Sequence, residues 1–177
     1  MKKRILAASV IVAFIFSSCV KDNNKCRYPD STVIASDLEK QSLRDSLSAH
    51  GITNALMDTT GFYYTIVNPG TGASVSNLCS SITITYTGGF FNGNLFDSSR
   101  IDTTVTPHKQ IPITVQLGQL IAGWQKGIKL LKAGGDINLY IPPSLGYGDI
   151  PQPDQNGNVV IPANSYLVFK VHVLDIQ

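Results

Sequence analysis

Side chains able to transfer a proton or bind a metal are few in this sequence and lie far apart along it. The three histidines, His50, His108 and His172, occupy separate segments, and no group of cysteines and histidines has metal-ligand spacing. Asp97 has no obvious carboxylate partner for acid–base work. We therefore expect no nucleophile, no general base, no metal and no cofactor.

The strongest candidate for a binding site is the segment 117–135, which contains the only tryptophan, Trp124. One stripe of a predicted helix is apolar at helical spacing: Leu120, Ile121, Trp124, Ile128 and Leu131. Gly123 and Gly127 flank the tryptophan, and each costs a helix about 1 kcal/mol relative to alanine. Close approach by another backbone or a ligand would explain them, whereas the alternative is a plain core helix. Gly134 and Gly135 are predicted to end the helix.

The elements around this helix have the pattern of β-strands. Six segments either alternate apolar and polar side chains or are rich in β-branched and aromatic residues: 62–67, 81–87, 95–99, 111–117, 136–141 and 165–176. Their short connections favour antiparallel pairing. The sequence therefore predicts an α+β domain in which a curved antiparallel sheet of five to six strands wraps one short helix. The loop 142–162 is unusually long for a compact domain, which favours a functional role.

The N-terminus has the pattern of an export signal. Lys2, Lys3 and Arg4 precede an apolar run, 5–16, that is too short to span a bilayer. Cys19 follows two serines and resembles the lipobox cysteine of bacterial lipoproteins, which becomes the lipid-carrying first residue. We expect a lipoprotein signal peptide at 1–18 and a lipid anchor at Cys19. An ordinary cleaved signal or an uncleaved anchor is the alternative.

Size and composition indicate one domain plus a tail. The chain has 177 residues, 43% of them hydrophobic and 15% charged, as in a globular protein. Without the three basic residues of the signal, 11 basic residues face 12 acidic ones, so no nucleic-acid partner is expected. We expect a tether with a short amphipathic helix at 19–60, a monomer, and one domain at 61–177. Ser36 and Glu39 have the spacing of a capping box that begins this helix.

Two cysteines remain if Cys19 carries lipid. Cys26 lies in the expected tether, and Cys79 lies just before a predicted strand. An exported protein meets an oxidising compartment, where disulfides form and persist. The sequence leaves two possibilities open, a disulfide between Cys26 and Cys79 or two unpaired thiols.

Five separated blocks of residues carry a resemblance to a known family. The blocks are Tyr86-Thr87-Gly88, Phe96-Asp97-Ser98-Ser99, Leu117-Gly118-Gln119-Leu120-Ile121-Ala122-Gly123-Trp124, Tyr147-Gly148, and Ile161-Pro162-Ala163-Asn164 with Leu167-Val168-Phe169 after it. In this order, over residues 62–177, they resemble FKBP-type peptidyl-prolyl isomerases. With Cys19, the whole chain resembles a bacterial lipoprotein form of that family. The fold of the family, a curved antiparallel sheet against a short helix, agrees with the strand count.

The resemblance implies an apolar pocket between the sheet and the helix. It makes Trp124 the pocket floor and puts Asp97 at the pocket edge. It also implies that the Tyr147 hydroxyl and the backbone N–H of Ile121 donate to substrate carbonyl groups. The remaining residues implied for the walls are Tyr86, Phe96 and Phe169, which are aromatic, and Ile113, Leu120, Val160 and Ile161, which are aliphatic.

The chemistry of such a site needs no reactive side chain. Rotation about an X–Pro bond breaks no covalent bond and only has to lower a barrier of about 18–20 kcal/mol. The twisted amide has lost its resonance, so an apolar aromatic pocket with oriented donors should bind it better than the planar amide. The resemblance thus implies an isomerase that acts on proline-containing exported polypeptides in the bacterial cell envelope. The alternative is an envelope-anchored binding or chaperone module with the same pocket and little turnover.

Overall fold

The computed structural model describes residues 26–106 and 109–177. The expected signal peptide, Cys19 and His108 lie outside these residues. The helices are Asp37–Ala49 (α1) and Ala122–Ile128 (α2), and short 3-10 helices cover Leu117–Gln119 and Pro143–Leu145. The strands are Leu56–Met57 (β1), Tyr63–Asn68 (β2), Ser81–Gly89 (β3), Leu95–Ser98 (β4), Ile101–Asp102 (β5), Lys109–Gln110 (β6), Ile113–Gln116 (β7), Gly135–Ile141 (β8), Gln152–Pro153 (β9), Val159–Ile161 (β10) and Leu167–Ile176 (β11).

The main sheet has seven antiparallel strands in the order β1-β2-β8-β11-β3-β4, and β7 also pairs with β3. The predicted α+β class and antiparallel sheet are confirmed. The strand β1 is additional to the six predicted segments, because a two-residue strand is too short to show alternation. Its pairing of Leu56 with Tyr64 also makes the sheet begin before residue 61. Two smaller hairpins, β5 with β6 and β9 with β10, lie outside this sheet.

The core lies between the inner face of the sheet and α2. The inner face is formed by alternate residues of the central strands that are almost fully buried: Ile82, Ile84, Ile137, Leu139, Ile141, Phe169, Val171 and Val173. The glycines beside Trp124 allow α2 to approach this face closely. A Cβ at Gly123 would overlap Ile141, and one at Gly127 would overlap Leu139. The close approach suspected from the sequence is therefore made by strand β8.

The predicted helix is shorter than its apolar stripe suggested. α2 ends at Ile128, and the chain continues as a turn in which the Leu131 N–H donates to the Ile128 carbonyl at 3.0 Å. Leu131 stays buried through this turn, so its burial does not require a continuing helix. Gly134, with φ of +83°, leads into β8 rather than capping α2.

The N-terminal helix covers part of the outer face of the sheet. Ser36 and Glu39 form the predicted capping box, in which each side chain accepts from the other residue's backbone N–H. Leu43 and Leu47 are buried in a second cluster with Tyr63 and Tyr140. These tyrosines alternate with inward-facing neighbours, so they point away from α2. The segment expected to be a tether therefore packs against the domain where it is described. Among the described residues no helix is long and apolar enough to cross a bilayer.

Candidate active site

A cavity of about 200 Å³ opens between the inner face of the sheet and the start of α2. Four strands and the Leu117–Gln119 turn contribute to it, together with α2 and the loop after Leu145. The lining residues are Ile84, Tyr86, Asp97, Ile113, Gln119, Leu120, Ile121, Trp124, Tyr147 and Phe169. Most of this lining is apolar, with a small polar edge, as is usual for sites that bind small organic groups.

The floor of the cavity is a set of aromatic rings in edge-on contact. Trp124 is 4% exposed and meets Tyr86 at 5.4 Å and Phe169 at 5.1 Å between ring centroids. Phe96 packs edge-on against the far side of Phe169 at 5.6 Å. Each edge-on pair contributes about 0.5–1.5 kcal/mol beyond the burial of its area. These contacts stabilise the relative orientation of the rings that form the floor.

The polar edge joins strands β3 and β4. The Tyr86 hydroxyl donates to Asp97 Oδ2 at 2.6 Å, and the Ser98 backbone N–H donates to Asp97 Oδ1 at 2.8 Å. Burial raises the pKa of Tyr86, and the hydrogen bond to Asp97 raises it further. Burial also raises the pKa of Tyr147, with a smaller contribution from the Asp97 charge. Both phenols therefore remain protonated at neutral pH, and Tyr147 can act as a hydrogen-bond donor.

The loop that carries Tyr147 is held by two backbone hydrogen bonds at the next residue, Gly148. The Gly148 N–H donates to the Pro143 carbonyl at 2.9 Å, and the Gly148 carbonyl accepts from the Asn164 N–H at 2.8 Å. Asn164 has φ of 58°, in the left-handed region that asparagine tolerates better than most residues. The two blocks of the family resemblance around Tyr147 and Asn164 are thus held together by a backbone hydrogen bond.

A backbone donor lies at the start of α2. Ile121 is the N-cap residue, with an extended backbone, and its carbonyl accepts from the N–H groups of Trp124 and Gln125. No hydrogen bond within the described residues uses the Ile121 N–H, so it can bind a ligand carbonyl at the cavity. The Gln125 side chain donates to the Leu120 carbonyl at 2.7 Å, which fixes the chain immediately before this donor.

The structure brings together most of the residues named from the sequence. Eight of them line the cavity: Tyr86, Asp97, Ile113, Leu120, Ile121, Trp124, Tyr147 and Phe169. Phe96 does not line it and instead supports Phe169 from behind. Ile84 and Gln119 line it but were missed. Ile84 could have been found by its alternation with Tyr86 on one strand, whereas no sequence signal distinguished Gln119.

Two residues of the loop 142–162 that were expected to line the cavity, Val160 and Ile161, lie elsewhere. Val160 lines a separate groove near Phe90 and Asn94, and Ile161 is 5% exposed within the core. The reason is the β9–β10 hairpin, in which alternate side chains of β10 point to opposite sides. Neither residue reaches the cavity lining, and Tyr147 forms that side in their place.

The other titratable candidates lie away from the cavity. His172 Nδ1 is 2.8 Å from Asp136 Oδ1 on the outer face of the sheet, and His50 ends α1. Within residues 26–106 and 109–177, no three His, Cys, Asp or Glu side chains gather as metal ligands. Cys26 and Cys79 are joined by a disulfide, with their Cα atoms 5.4 Å apart. This is one of the two possibilities left open by the sequence.

Comparisons with known proteins agree with this geometry. A curated relative from Buchnera aphidicola, the FKBP-type peptidyl-prolyl cis-trans isomerase FkpA, is 40% identical over 119 residues, which cover 67% of this chain and 42% of that protein. The outer membrane protein MIP of Legionella longbeachae is 32% identical over 118 residues, which cover 67% of this chain and 45% of that protein. The chain thus spans less than half the length of these two relatives.

A solved structure and a family model extend the match. The crystal structure of FkpA from Escherichia coli is similar with a TM-score of 0.57 and 28% identity, covering 79% of this chain and 63% of that chain. The sequence model of FKBP-type peptidyl-prolyl cis-trans isomerases matches residues 73–174, more than half of the chain and all ten residues of the cavity lining. The chain therefore belongs to the FKBP-type peptidyl-prolyl cis-trans isomerase family.

Proposed function

We propose that this protein is a peptidyl-prolyl cis-trans isomerase that rotates X–Pro bonds in exported polypeptides. Family membership supports this function, and one observation carries it. An apolar cavity floored by Trp124 has two donors at its edge, the Tyr147 hydroxyl and the Ile121 backbone N–H. No reactive side chain is needed, because the reaction exchanges two rotamers of one amide.

The proposed mechanism is preferential binding of the twisted amide. A planar X–Pro amide is stabilised by resonance that rotation removes, at a cost of about 18–20 kcal/mol. The proline ring would enter the aromatic cavity above Trp124, where the less polar twisted amide nitrogen is tolerated. The two donors would hold the flanking carbonyl groups, so only the amide itself rotates. Interactions that are stronger in the twisted state than in the planar one lower the barrier.

Asp97 has an orienting role in this proposal. Its hydrogen bond from the Tyr86 hydroxyl holds that ring edge-on to Trp124, which keeps the wall and floor in a single arrangement. Phe96 acts indirectly, because it packs against Phe169, which lines the cavity.

The proposed setting is the bacterial cell envelope. We propose that residues 1–18 are a signal peptide, that Cys19 carries lipid and that the monomeric isomerase domain at 61–177 follows a connecting segment at 19–60. The name of the Legionella relative, an outer membrane protein, supports an envelope location. Stable anchoring needs more than one acyl chain. Detergent partitioning combined with the intact mass of the mature protein would test this, and a soluble product without acyl mass would contradict it.

The direct test of the activity is an exchange measurement on a series of X–Pro peptides. We expect cross-peaks between the cis and trans forms in NMR spectra to build up faster when catalytic amounts of protein are added. A protease-coupled assay would measure the same rate independently. Peptide binding at the cavity without acceleration on any peptide would overturn the proposal in favour of a binding or chaperone module with the same pocket.

A further inference from the structure

The N-terminal segment 26–31, here called the strap, runs along the back of the unit that forms one wall of the cavity. We propose that the strap positions the backbone donor of this wall, and that Tyr28 is the residue through which it does so. The inference rests on the proposed isomerase function. The wall unit consists of the Leu117–Gln119 turn and α2, and three of its residues, Leu120, Ile121 and Trp124, line the cavity.

Tyr28 packs directly on the turn. Its ring occupies the space where a Cβ at Gly118 would stand, so only glycine permits this contact. Its hydroxyl donates to Gln116 Oε1 at 3.2 Å, at the end of β7. An aromatic ring from a distant part of the chain thus packs against the turn. Gln119, the next residue after Gly118, already lines the cavity.

The turn is also held by backbone hydrogen bonds to the segment 78–80. The Gly118 N–H donates to the Leu78 carbonyl at 2.7 Å, and the Leu117 N–H donates to the Ser80 carbonyl at 3.0 Å. Cys79 lies in the middle of this segment, and its disulfide fastens the strap at Cys26. The turn therefore contacts both the strap and a segment that is covalently joined to the strap.

The strap also holds α2 at its exposed face. Lys126 Nζ donates to the Ser31 carbonyl at 2.8 Å, and Lys129 forms an ion pair with Asp30. The Lys129 ammonium lowers the pKa of Asp30. Lys126 lies on the side of α2 that faces away from the sheet, and Lys129 is the C-cap residue of α2. The strap therefore contacts both the turn and the helix. We call it a brace because these contacts connect the two elements that meet at Ile121.

A brace is needed here because the wall unit has little stability of its own. α2 has only seven residues, and its N-cap, Ile121, makes no side-chain capping hydrogen bond. Isolated helices shorter than about 12 residues are marginal in water. Gly123 and Gly127 lower the helical preference further. The position of the Ile121 N–H is therefore set by packing, and the strap supplies the packing on the side away from the sheet.

The test compares Tyr28→Ala with Tyr28→Phe, which keeps the ring on Gly118 and loses only the hydroxyl. We expect Tyr28→Ala to lower kcat/KM on an X–Pro peptide about threefold to tenfold, within the effect of losing one neutral hydrogen bond. Tyr28→Phe should keep most of the activity. Amide hydrogen exchange should become faster at Gly118 and Leu120 in Tyr28→Ala, and stay unchanged at Val171 in the central strand.

A matched control is Leu38→Ala, which alters a 77% exposed side chain in the same N-terminal region without touching the wall unit. It should change neither activity nor exchange. If Tyr28→Ala fails to fold, the double variant Cys26→Ser with Cys79→Ser removes the covalent attachment of the strap and keeps the Tyr28 side chain in the sequence. This double variant should show the same pattern of exchange at Gly118 and Leu120.

Two results would overturn the inference. One is unchanged kcat/KM per folded molecule in Tyr28→Ala. The other is faster exchange at Val171 in parallel with Gly118, which would mean that the strap only stabilises the domain as a whole. An inactive wild type would contradict the proposed function instead, and the exchange measurement would still decide whether the strap holds the turn.

Discussion

The substitution Tyr147→Phe removes one hydroxyl from the edge of the cavity and changes little else. The raised pKa of Tyr147 arises from burial and the Asp97 charge, with no hydrogen bond from a described residue to its hydroxyl. The variant therefore breaks no hydrogen bond among the residues that the structure describes, and the free energy of unfolding should stay nearly unchanged. We therefore expect the substitution to affect activity only, through the loss of the hydrogen bond that we assign to a substrate carbonyl.

The size of the expected effect follows from that single bond. A neutral hydrogen bond contributes about 0.5–1.5 kcal/mol net, which corresponds to a loss of about 2- to 13-fold in kcat/KM. The assay is exchange NMR or protease coupling on one X–Pro peptide, accompanied by urea unfolding of both proteins. A matched control is Tyr166→Phe, because Tyr166 packs in the outer-face cluster with α1 and lies away from the cavity.

The outcome distinguishes two roles for Tyr147, a hydrogen-bond donor and a ring that only fills space. A loss within this range at unchanged stability, with Tyr166→Phe fully active, supports the role of the hydroxyl. Full activity in Tyr147→Phe would refute the reasoning, because the ring alone would then account for the contribution of this residue. A loss of several hundredfold would also contradict it, since one neutral hydrogen bond cannot supply that much.

Further predictions concern the floor of the cavity and the absence of proton transfer. Trp124→Ala should cost about 3–5 kcal/mol of stability, whereas Trp124→Leu keeps apolar bulk and should lower kcat/KM with a smaller shift of the urea midpoint. Because burial raises the pKa of Tyr147 above its ordinary value of 10.0, kcat/KM should be flat from pH 6 to 9. The same raised pKa stabilises the folded state below pH 10, and this contribution should be lost only as the pH rises further. His172→Ala should leave turnover unchanged. If the wild type lost activity across the pH range in which histidine titrates, and His172→Ala removed this pH dependence, the twisted-amide mechanism would be falsified.

Local patterns in the sequence were sufficient for the elements and for most of the cavity. Alternation around Ile84 and Tyr86 predicted β3 and its buried face, because side chains of a strand point to opposite sides in turn. Ser36 and Glu39 predicted the start of α1, because a capping box involves residues only three apart. Seven site residues named from the family blocks line one cavity together with Ile113, which the resemblance also implied. These blocks combine strand and helix positions that face one another across the core.

Contacts between distant segments determined the features that local patterns did not predict. The end of α2 at Ile128 depends on the turn beyond it, which buries Leu131 without a helix. Val160 and Ile161 do not line the cavity, because the β9–β10 hairpin, and not local periodicity, determines where their side chains point. The segment after Cys26 had the composition of a tether, yet it is fastened to the domain.

The sequence by itself determined the six longer strands of the main sheet and the positions of the two α-helices, which of their faces are apolar, and which residues could form an aromatic pocket. These properties depend on neighbours within a few positions, so they can be read from periodicity and capping. Only the tertiary structure decided what supports that pocket. Cys26 and Cys79 are 53 residues apart, and Tyr28 contacts Gln116 across 88 residues. Such contacts form because the fold brings distant segments to one place, and no local pattern of residue types encodes that meeting.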